Sequence, residues 1–121
     1  MTHLLIVSPN SLQANVVSLA LQHDNVEITL IDNTQCIIKR CQDIGADMII
    51  FLTLSPYFTS MNIVDELRAS LKRLPAIYVI SNSHSASVVL TLLECGVNQY
   101  LTFPLNLYRL RDKVYGELKI D

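Results

Sequence analysis

Basic residues are few in this chain of 121 residues, and they are scattered along it. Lysine and arginine together number nine, the formal net charge is −2, and the only adjacent basic pairs are Lys39-Arg40 and Lys72-Arg73. Tight binding to nucleic acid needs clustered cations that displace the counterions of a phosphate backbone. We therefore expect no direct nucleic-acid binding by this chain.

Long apolar segments are also missing. The longest run has about seven residues, whereas a helix that crosses a bilayer needs about 20. We therefore expect no membrane partner.

Cysteine is scarce, and its pattern argues against metal binding. The three cysteines, Cys36, Cys41 and Cys95, are odd in number and have no CxxC spacing. All three fall in segments of helical periodicity, where small buried thiols are common. They predict free structural thiols in a cytoplasmic protein, and no metal site.

The nucleotide-binding motifs of α/β proteins do not occur either. There is no GxGxxG after the first apolar segment, and there is no GxxxxGK[ST] anywhere. These glycines allow a backbone to approach a phosphate group closely. We expect the chain to carry no cofactor.

Short apolar segments alternate with segments of helical periodicity along the whole chain. The predicted strands cover residues 3–7, 26–31, 48–54, 76–80 and 99–103, and a helix is predicted after each of them. Strands that are apolar throughout, separated by helices, predict a parallel sheet covered on both faces. The predicted fold is α/β, a (βα)5 open doubly wound parallel sheet with the flavodoxin-like order 2-1-3-4-5. We expect a single domain over residues 1–121, either excised from a longer protein or standing alone.

The first predicted helix has a clear apolar pattern. Ser11 is predicted to cap its amino end, and Leu12, Val16, Leu19 and Ala20 recur at helical spacing. We expect these four residues to face the core.

The third predicted strand ends in an uncharged segment. DMIIFLTLSP covers residues 47–56, and no charged residue lies between Asp47 and Asp65. In doubly wound sheets, ligands and chemistry gather at the carboxyl ends of the strands. The lack of charge at this strand end is therefore informative about function.

Four segments, in order, resemble the receiver domain of response regulators, the CheY-like family. They are LLIVSPN, ADMIIFLTLSP, LPAIYVISNS and ECGVNQYLTFPLNLYRL, and together they span almost the whole chain. The resemblance implies a fold of five alternating strands and helices and a role in signal transduction.

The residues that carry receiver chemistry do not match at the corresponding positions. The resemblance places Ser8 and Pro9 at the acidic pair that holds Mg²⁺, Leu52 at the phosphoacceptor aspartate, Ile80 at the switch serine or threonine, and Phe103 at the phosphate-pairing lysine. Ser81 lies next to the switch position. Tyr100, at the aromatic switch position, and Pro104 do match.

Phosphotransfer to aspartate needs a nucleophile, a divalent cation and a positive charge on the developing phosphoryl group. None of these groups is present at the matching positions, and Mg²⁺ is held mainly by carboxylates. Nearby hydroxyls, such as those of Ser8, Thr53 and Ser81, have no adjacent base, and we interpret His84 as a solvated residue near a helix start. The sequence therefore predicts a degenerate receiver, or pseudo-receiver, with no catalytic residues.

The last two helices contain more apolar and aromatic residues than one core face requires. Val89, Leu90 and Leu93 widen the apolar arc of the fourth helix, and Tyr108, Arg111 and Tyr115 lie beside the core stripe of the fifth. Tyr and Arg are favoured at interface centres. We expect these six residues to contact a protein partner, which is a second copy of the chain or an adjoining output domain. The loop at residues 56–61 is expected to fold over the strand ends.

The sequence therefore predicts a phosphorylation-independent pseudo-receiver that acts as a protein-interaction or dimerisation module in bacterial signal transduction or transcription regulation. The alternative is a small-molecule sensor, because the strand ends of doubly wound sheets also bind ligands. Its predicted pocket would be lined by Leu52, Thr53, Ser81, Thr102 and Phe103.

Overall fold

Five strands and five helices alternate along the chain, as predicted. The computed structural model describes residues 1–32, 37–52, 60–82, 85–103 and 105–120. The elements are β1 (Thr2–Val7), α1 (Ser11–Ala20), β2 (Val26–Ile31), α2 (Ile37–Ile44), β3 (Met48–Leu52), α3 (Ser60–Ser70), β4 (Ala76–Ser81), α4 (Ala86–Glu94), β5 (Gln99–Thr102) and α5 (Leu107–Leu118). No helix in these described ranges is long and apolar enough to span a membrane.

The strands form one parallel sheet in the order β2-β1-β3-β4-β5. This confirms the predicted fold class and strand order. The register aligns Val7 of β1 with Phe51 of β3, and Leu52 of β3 with Ile80 of β4. Because all strands run the same way, the carboxyl ends of β1, β3, β4 and β5 lie side by side at one edge of the sheet.

The core has two halves, one on each face of the sheet. The half under α2, α3 and α4, called the α4-side core below, includes Leu5, Ile37, Val64, Leu92 and Val97 among its buried residues. The half under α1 and α5, called the α5-side core, includes Leu4, Val17, Leu52, Leu110 and Val114. Alternate residues of each strand serve opposite faces, which is why strands this apolar need helices on both sides.

Helix α1 faces the core with different residues from those predicted. Ala14, Val17 and Leu21 are buried, whereas Leu12, Val16 and Leu19 are 72%, 43% and 66% exposed. The prediction that the latter three face the core was wrong. Two apolar sets share the same helical spacing in this segment, and the small side chain of Ala14 allows the helix to lie close to the sheet on its own side.

The start of α1 also differs from the prediction. The cap is Asn10, whose side-chain oxygen accepts a hydrogen bond of 3.1 Å from the backbone N–H of Gln13. Ser11 is the first residue inside the helix. Asparagine and serine cap helices equally well, so composition alone does not decide between neighbours.

Two tyrosines hold α5 in place. The hydroxyl of Tyr78 donates to the carbonyl of Lys113 at 3.2 Å and lies 3.4 Å from a carboxylate oxygen of Glu117. The hydroxyl of Tyr115 donates to the carbonyls of Leu21 and Gln22, at 3.2 and 3.0 Å. Residues at the end of α1 lack intrahelical partners for their carbonyls, so Tyr115 satisfies groups that would otherwise need water.

Burial raises the pKa of Tyr78 from its ordinary 10.0 to about 12, and the Glu117 carboxylate adds to the rise. Below pH 10 the Tyr78 hydroxyl is protonated in both the folded and the unfolded chain, so the raised pKa contributes its full stabilisation to the folded state. Between pH 10 and about 12 the unfolded chain loses this proton first, so the free energy of unfolding falls.

We expect Tyr78→Phe to cost about 1 kcal/mol at neutral pH through the lost hydrogen bond. The difference in stability between the wild type and Tyr78→Phe should then shrink from pH 10 to about 12, because the variant has no proton to lose at this position. Denaturant unfolding of both proteins at matched pH measures this difference. A difference that stays constant across that range would contradict it.

Gly96 ends α4 in a conformation that excludes other residues. Its φ is +108°, and a Cβ built there would meet the guanidinium group of Arg68. That guanidinium donates to the carbonyl of Cys95, so Arg68 of α3 satisfies a carbonyl at the end of α4. Gly116 lies inside α5 with open space around it.

Alanine at these two glycines should therefore have opposite effects. We expect Gly96→Ala to lower the free energy of unfolding by about 2 kcal/mol, because it combines a positive φ with loss of the Arg68 contact. Gly116→Ala should raise it by up to about 1 kcal/mol, since alanine is the better helix former. Urea unfolding measures both, and a neutral Gly96→Ala would show that the end of α4 is free to rearrange.

Candidate functional site

The carboxyl edge of the sheet brings together the positions that the family resemblance singled out. Ser8 follows β1 directly, Leu52 is the last residue of β3, and Phe103 follows β5. Ile80 lies beside Leu52 in the register, and Ser81 lies beside Thr102. The strand order therefore collects these side chains at one edge, as the sequence predicted.

Ser8 is buried, and its hydroxyl is used within its own turn. Its Oγ donates to the carbonyl of Asn10 at 3.0 Å and accepts from the Asn10 N–H at 3.1 Å. Its backbone N–H donates to the carbonyl of Ile31 on β2 at 3.0 Å. Pro9 is exposed. This arrangement gives Ser8 a structural role in the turn that leads into α1.

Leu52 belongs to the core. It is only 1% exposed, and it is part of the α5-side core together with its neighbour Ile80. Phe103 is half-buried and packs against the same core half, and its N–H donates to the carbonyl of Ser81 at 3.1 Å. Apolar side chains at three of the positions of receiver chemistry therefore extend the core to the edge of the sheet.

The switch-like residues Ser81 and Tyr100 lie on the same side of the sheet, because Ser81 follows Ile77 and Val79 in the alternation along β4 and these face the α4-side core. Ser81 is fully buried at the end of β4, whereas Tyr100 is half-buried and packs against the α4-side core. Several predicted site residues lie outside the described residues, namely Thr53, residues 56–59 of the loop expected to cover the strand ends, His84 and Pro104. The predicted covering of the strand ends by that loop stays a prediction.

The groups with shifted pKa values lie away from this edge. Burial raises the pKa of the Cys41 thiol from 9.0 to about 11, and Cys41 lies in α2 within the α4-side core. A thiol that stays protonated is a poor nucleophile and a poor metal ligand. Within the part of the chain that the structure describes, no group of three or more His, Cys, Asp and Glu side chains could hold a metal.

Two open grooves lie on the surface. One, of about 530 Å³, is lined by residues of α1 and β2, including Gln22 and His23. The other, of about 240 Å³, lies between β5 and α5 and includes Arg109 and Lys113. Of the five residues predicted for the sensor pocket, Thr102 alone lines one of these two grooves, and Leu52 and Ser81 are closed to solvent.

The six residues predicted as one interface lie on two sides of the sheet. Val89, Leu90 and Leu93 are on α4, which covers the α4-side core, with Leu90 59% and Leu93 42% exposed. Tyr108, Arg111 and Tyr115 are on α5, which covers the opposite half.

On α5, these three residues face toward α1. Tyr115 contacts the end of α1 through its hydroxyl, and Tyr108, seven residues earlier, lies on the same side of the helix. Arg111 lies between them, with its Cζ atom 5.4 Å from the centre of the Tyr108 ring. The two groups of interface residues are therefore separate surfaces.

Comparisons with known proteins identify the fold. No family model matches the chain, and no curated protein matches it. Several solved structures, in contrast, match the chain. A two-component response regulator from Clostridium difficile is 21% identical with a TM-score of 0.85, covering 98% of this chain and 97% of that one.

A response regulator from Thermotoga maritima is 16% identical with a TM-score of 0.86, covering 98% of both chains. An orphan response regulator of H. pylori is 13% identical with a TM-score of 0.81, covering 97% of this chain and 96% of that one. This chain has the receiver-domain fold. The resemblance drawn from the four sequence segments is thus matched by the receiver fold over nearly its full length.

Some features of the site were not predicted from sequence. The hydrogen bonds of Ser8 with Asn10 are one, although a Ser-Pro-Asn turn favours such a local bond. The placement of Tyr108 beside α1 is another. Helical spacing relates Tyr108 to Tyr115, but it does not tell which neighbouring helix they face.

An aspartate placed at the phosphoacceptor position, Leu52, should destabilise the fold and should not create a phosphorylation site. We expect Leu52→Asp to lower the free energy of unfolding by at least about 3 kcal/mol, because a carboxylate would replace a fully packed side chain. The matched control is Leu90→Asp on the exposed face of α4, which should change stability by no more than about 1 kcal/mol. Urea unfolding measures both, and equal effects would show that Leu52 is not part of the core.

Proposed function

We propose that this chain is a phosphorylation-independent pseudo-receiver that acts as a protein-interaction and dimerisation module in bacterial signal transduction or transcription regulation. The observation that carries the proposal is the apolar edge of the sheet, where Leu52, Ile80 and Phe103 pack into the core. The receiver fold of regulators from other organisms supports the assignment to signalling.

Phosphorylation independence follows from the chemistry of these positions. A carboxylate nucleophile, two metal-binding carboxylates and a cation would all have to be supplied by other residues. Leu52 offers no nucleophile, and the Ser8 hydroxyl already donates to and accepts from Asn10. We therefore propose that the domain holds one signalling conformation without a phosphoryl group, and that it is not an enzyme.

Binding to a partner protein is supported by the exposed side of α4. Leu90 and Leu93 are exposed there, and Val89 is half-buried beside them. Exposed aliphatic side chains grouped on one helix face mark interaction sites. Glu94 is exposed at the edge of this group, so two copies joined at this face would bring like charges together. An adjoining output domain or another protein suits this face better than a second copy.

A phosphodonor experiment tests the proposal. Incubation with a small phosphodonor and Mg²⁺, followed by intact-protein mass measurement, should show no adduct of about 80 Da, because no carboxylate stands at the phosphoacceptor position. A receiver domain with an intact acidic site, treated in the same tube, should gain the adduct and so prove that the donor is active. A stable adduct on this chain, abolished by substitution of one acidic residue, would overturn the proposal.

A further inference from the structure

The outer side of α1 is an apolar stripe with no function inside the fold. Leu12, Val16 and Leu19 are all exposed, although α1 buries Ala14, Val17 and Leu21 against the sheet. At 100° per residue, the exposed set points about 170° away from the buried set. The stripe therefore faces straight into solvent and cannot be an edge of the core.

Helix α5 extends this stripe on one side. Both helices follow parallel strands and run in the same direction, and they touch where Tyr115 meets the carbonyl of Leu21. Tyr108 precedes Tyr115 by seven residues, so it lies level with the first half of α1. Tyr108 is 73% exposed. The outer surface formed by Leu12, Val16, Leu19 and Tyr108 is called the α1–α5 surface below.

From this surface we infer that the chain forms a homodimer through α1 and α5, with a second copy as the occupant. The inference gives the dimerisation part of the proposed function its location, on the face of the sheet opposite to α4. It does not depend on phosphorylation independence.

The charges on the α1–α5 surface favour a second copy of the chain over other partners. From Ser8 to Gln22 the chain contains no charged residue, so α1 offers nothing to a nucleic acid, an anionic membrane or a charged peptide. One turn along α5 from Tyr108 lie Arg111 and Asp112, which have opposite signs, whereas Arg109 lines the groove between α5 and β5. Two copies related by a two-fold axis can place each of these charges opposite its counterpart, so self-association meets no like-charge barrier.

The spacing of the stripe also suits a copy. Leu12 lies four residues before Val16, and Leu19 lies three residues after it. An antiparallel pairing with the two-fold axis near Val16 places Leu12 beside Leu19 of the second copy, and the two Val16 side chains meet at the axis. Spacing of four and three residues is the seam pattern of paired helices, and closed two-fold dimers are the commonest oligomers.

The available area requires both helices. A standard dimer buries about 800 Å² on each partner. Helix α1 is about 15 Å long and about 10 Å wide, which falls well short of this area; adding α5 doubles the width and still leaves the face smaller than that of a standard dimer. We therefore assign the interface to the whole α1–α5 surface and expect a reversible dimer of modest affinity.

Sedimentation velocity over about 5 µM to 1 mM tests the dimer, a range chosen for the modest affinity of a small interface. The sedimentation coefficient should rise with concentration from that of a monomer to that of a dimer. In parallel, backbone amide resonances of residues 11–20 should shift with concentration while those of residues 86–94 stay constant. A monomer across the whole range overturns the inference, and so does a shift confined to residues 86–94.

Charged substitutions of Val16, at the two-fold axis, test the geometry of the proposed dimer. Val16→Glu and Val16→Lys should each be monomeric alone, because two like charges would meet, and their equimolar mixture should regain the dimer. Val16 is exposed, so both variants should keep the circular dichroism spectrum and melting behaviour of the wild type. Dimers of each variant alone would place the interface elsewhere.

Leu90→Glu on α4 is the matched control, since it adds the same charge to an exposed aliphatic position on the opposite face. It should leave the dimer intact. A dimer lost in Leu90→Glu but kept in Val16→Glu would overturn the inference in favour of α4. The phosphodonor experiment is independent of these dimer experiments. A failure of the homodimer inference can therefore be distinguished from a failure of phosphorylation independence.

Discussion

The burial of β3 on both faces is the constraint on which the rest of the structure depends. All five residues of Met48–Leu52 are buried, and the strand pairs with β1 on one side and β4 on the other. A central strand without polar residues is stable only when helices cover both faces of its sheet. This requirement explains the alternation of strands and helices, the division of the core into two halves, and the meeting of four strand ends at one edge.

Much of this fold is predictable from sequence because the strands are short, apolar and separated by helical patterns. The residues at the sheet edge are predictable too, since Ser8, Leu52 and Phe103 follow from matching segments in order. The face of α1 is not, because its two apolar sets have the same spacing, and only packing against the sheet selects Ala14 and Val17. Helical periodicity relates residues to their own axis and leaves the neighbouring element undetermined.

At the edge of the sheet, positions that the family resemblance assigns to receiver chemistry are part of the core. Receiver chemistry needs charged side chains that are open to solvent, whereas Leu52 and Ile80 here are nearly closed to it. Once these positions are apolar, their burial stabilises the fold by the same effect that builds the interior. Exposed apolar residues lie on both helix layers, on α1 and on α4.

The bond from Tyr115 to the end of α1 joins residues 94 positions apart, and it bears on the order in which the molecule can assemble. The buried residues of the α4-side core run from Leu5 to Val97, whereas those of the α5-side core extend to Val114. A chain emerging from the ribosome can therefore complete one half of its interior before Leu110 and Val114, the last buried residues of the other half, exist. Until α5 arrives, the α5-side core lacks Leu110 and Val114, and the apolar residues that they pack against are incompletely covered. This is the stage at which the nascent protein is most exposed to misassociation.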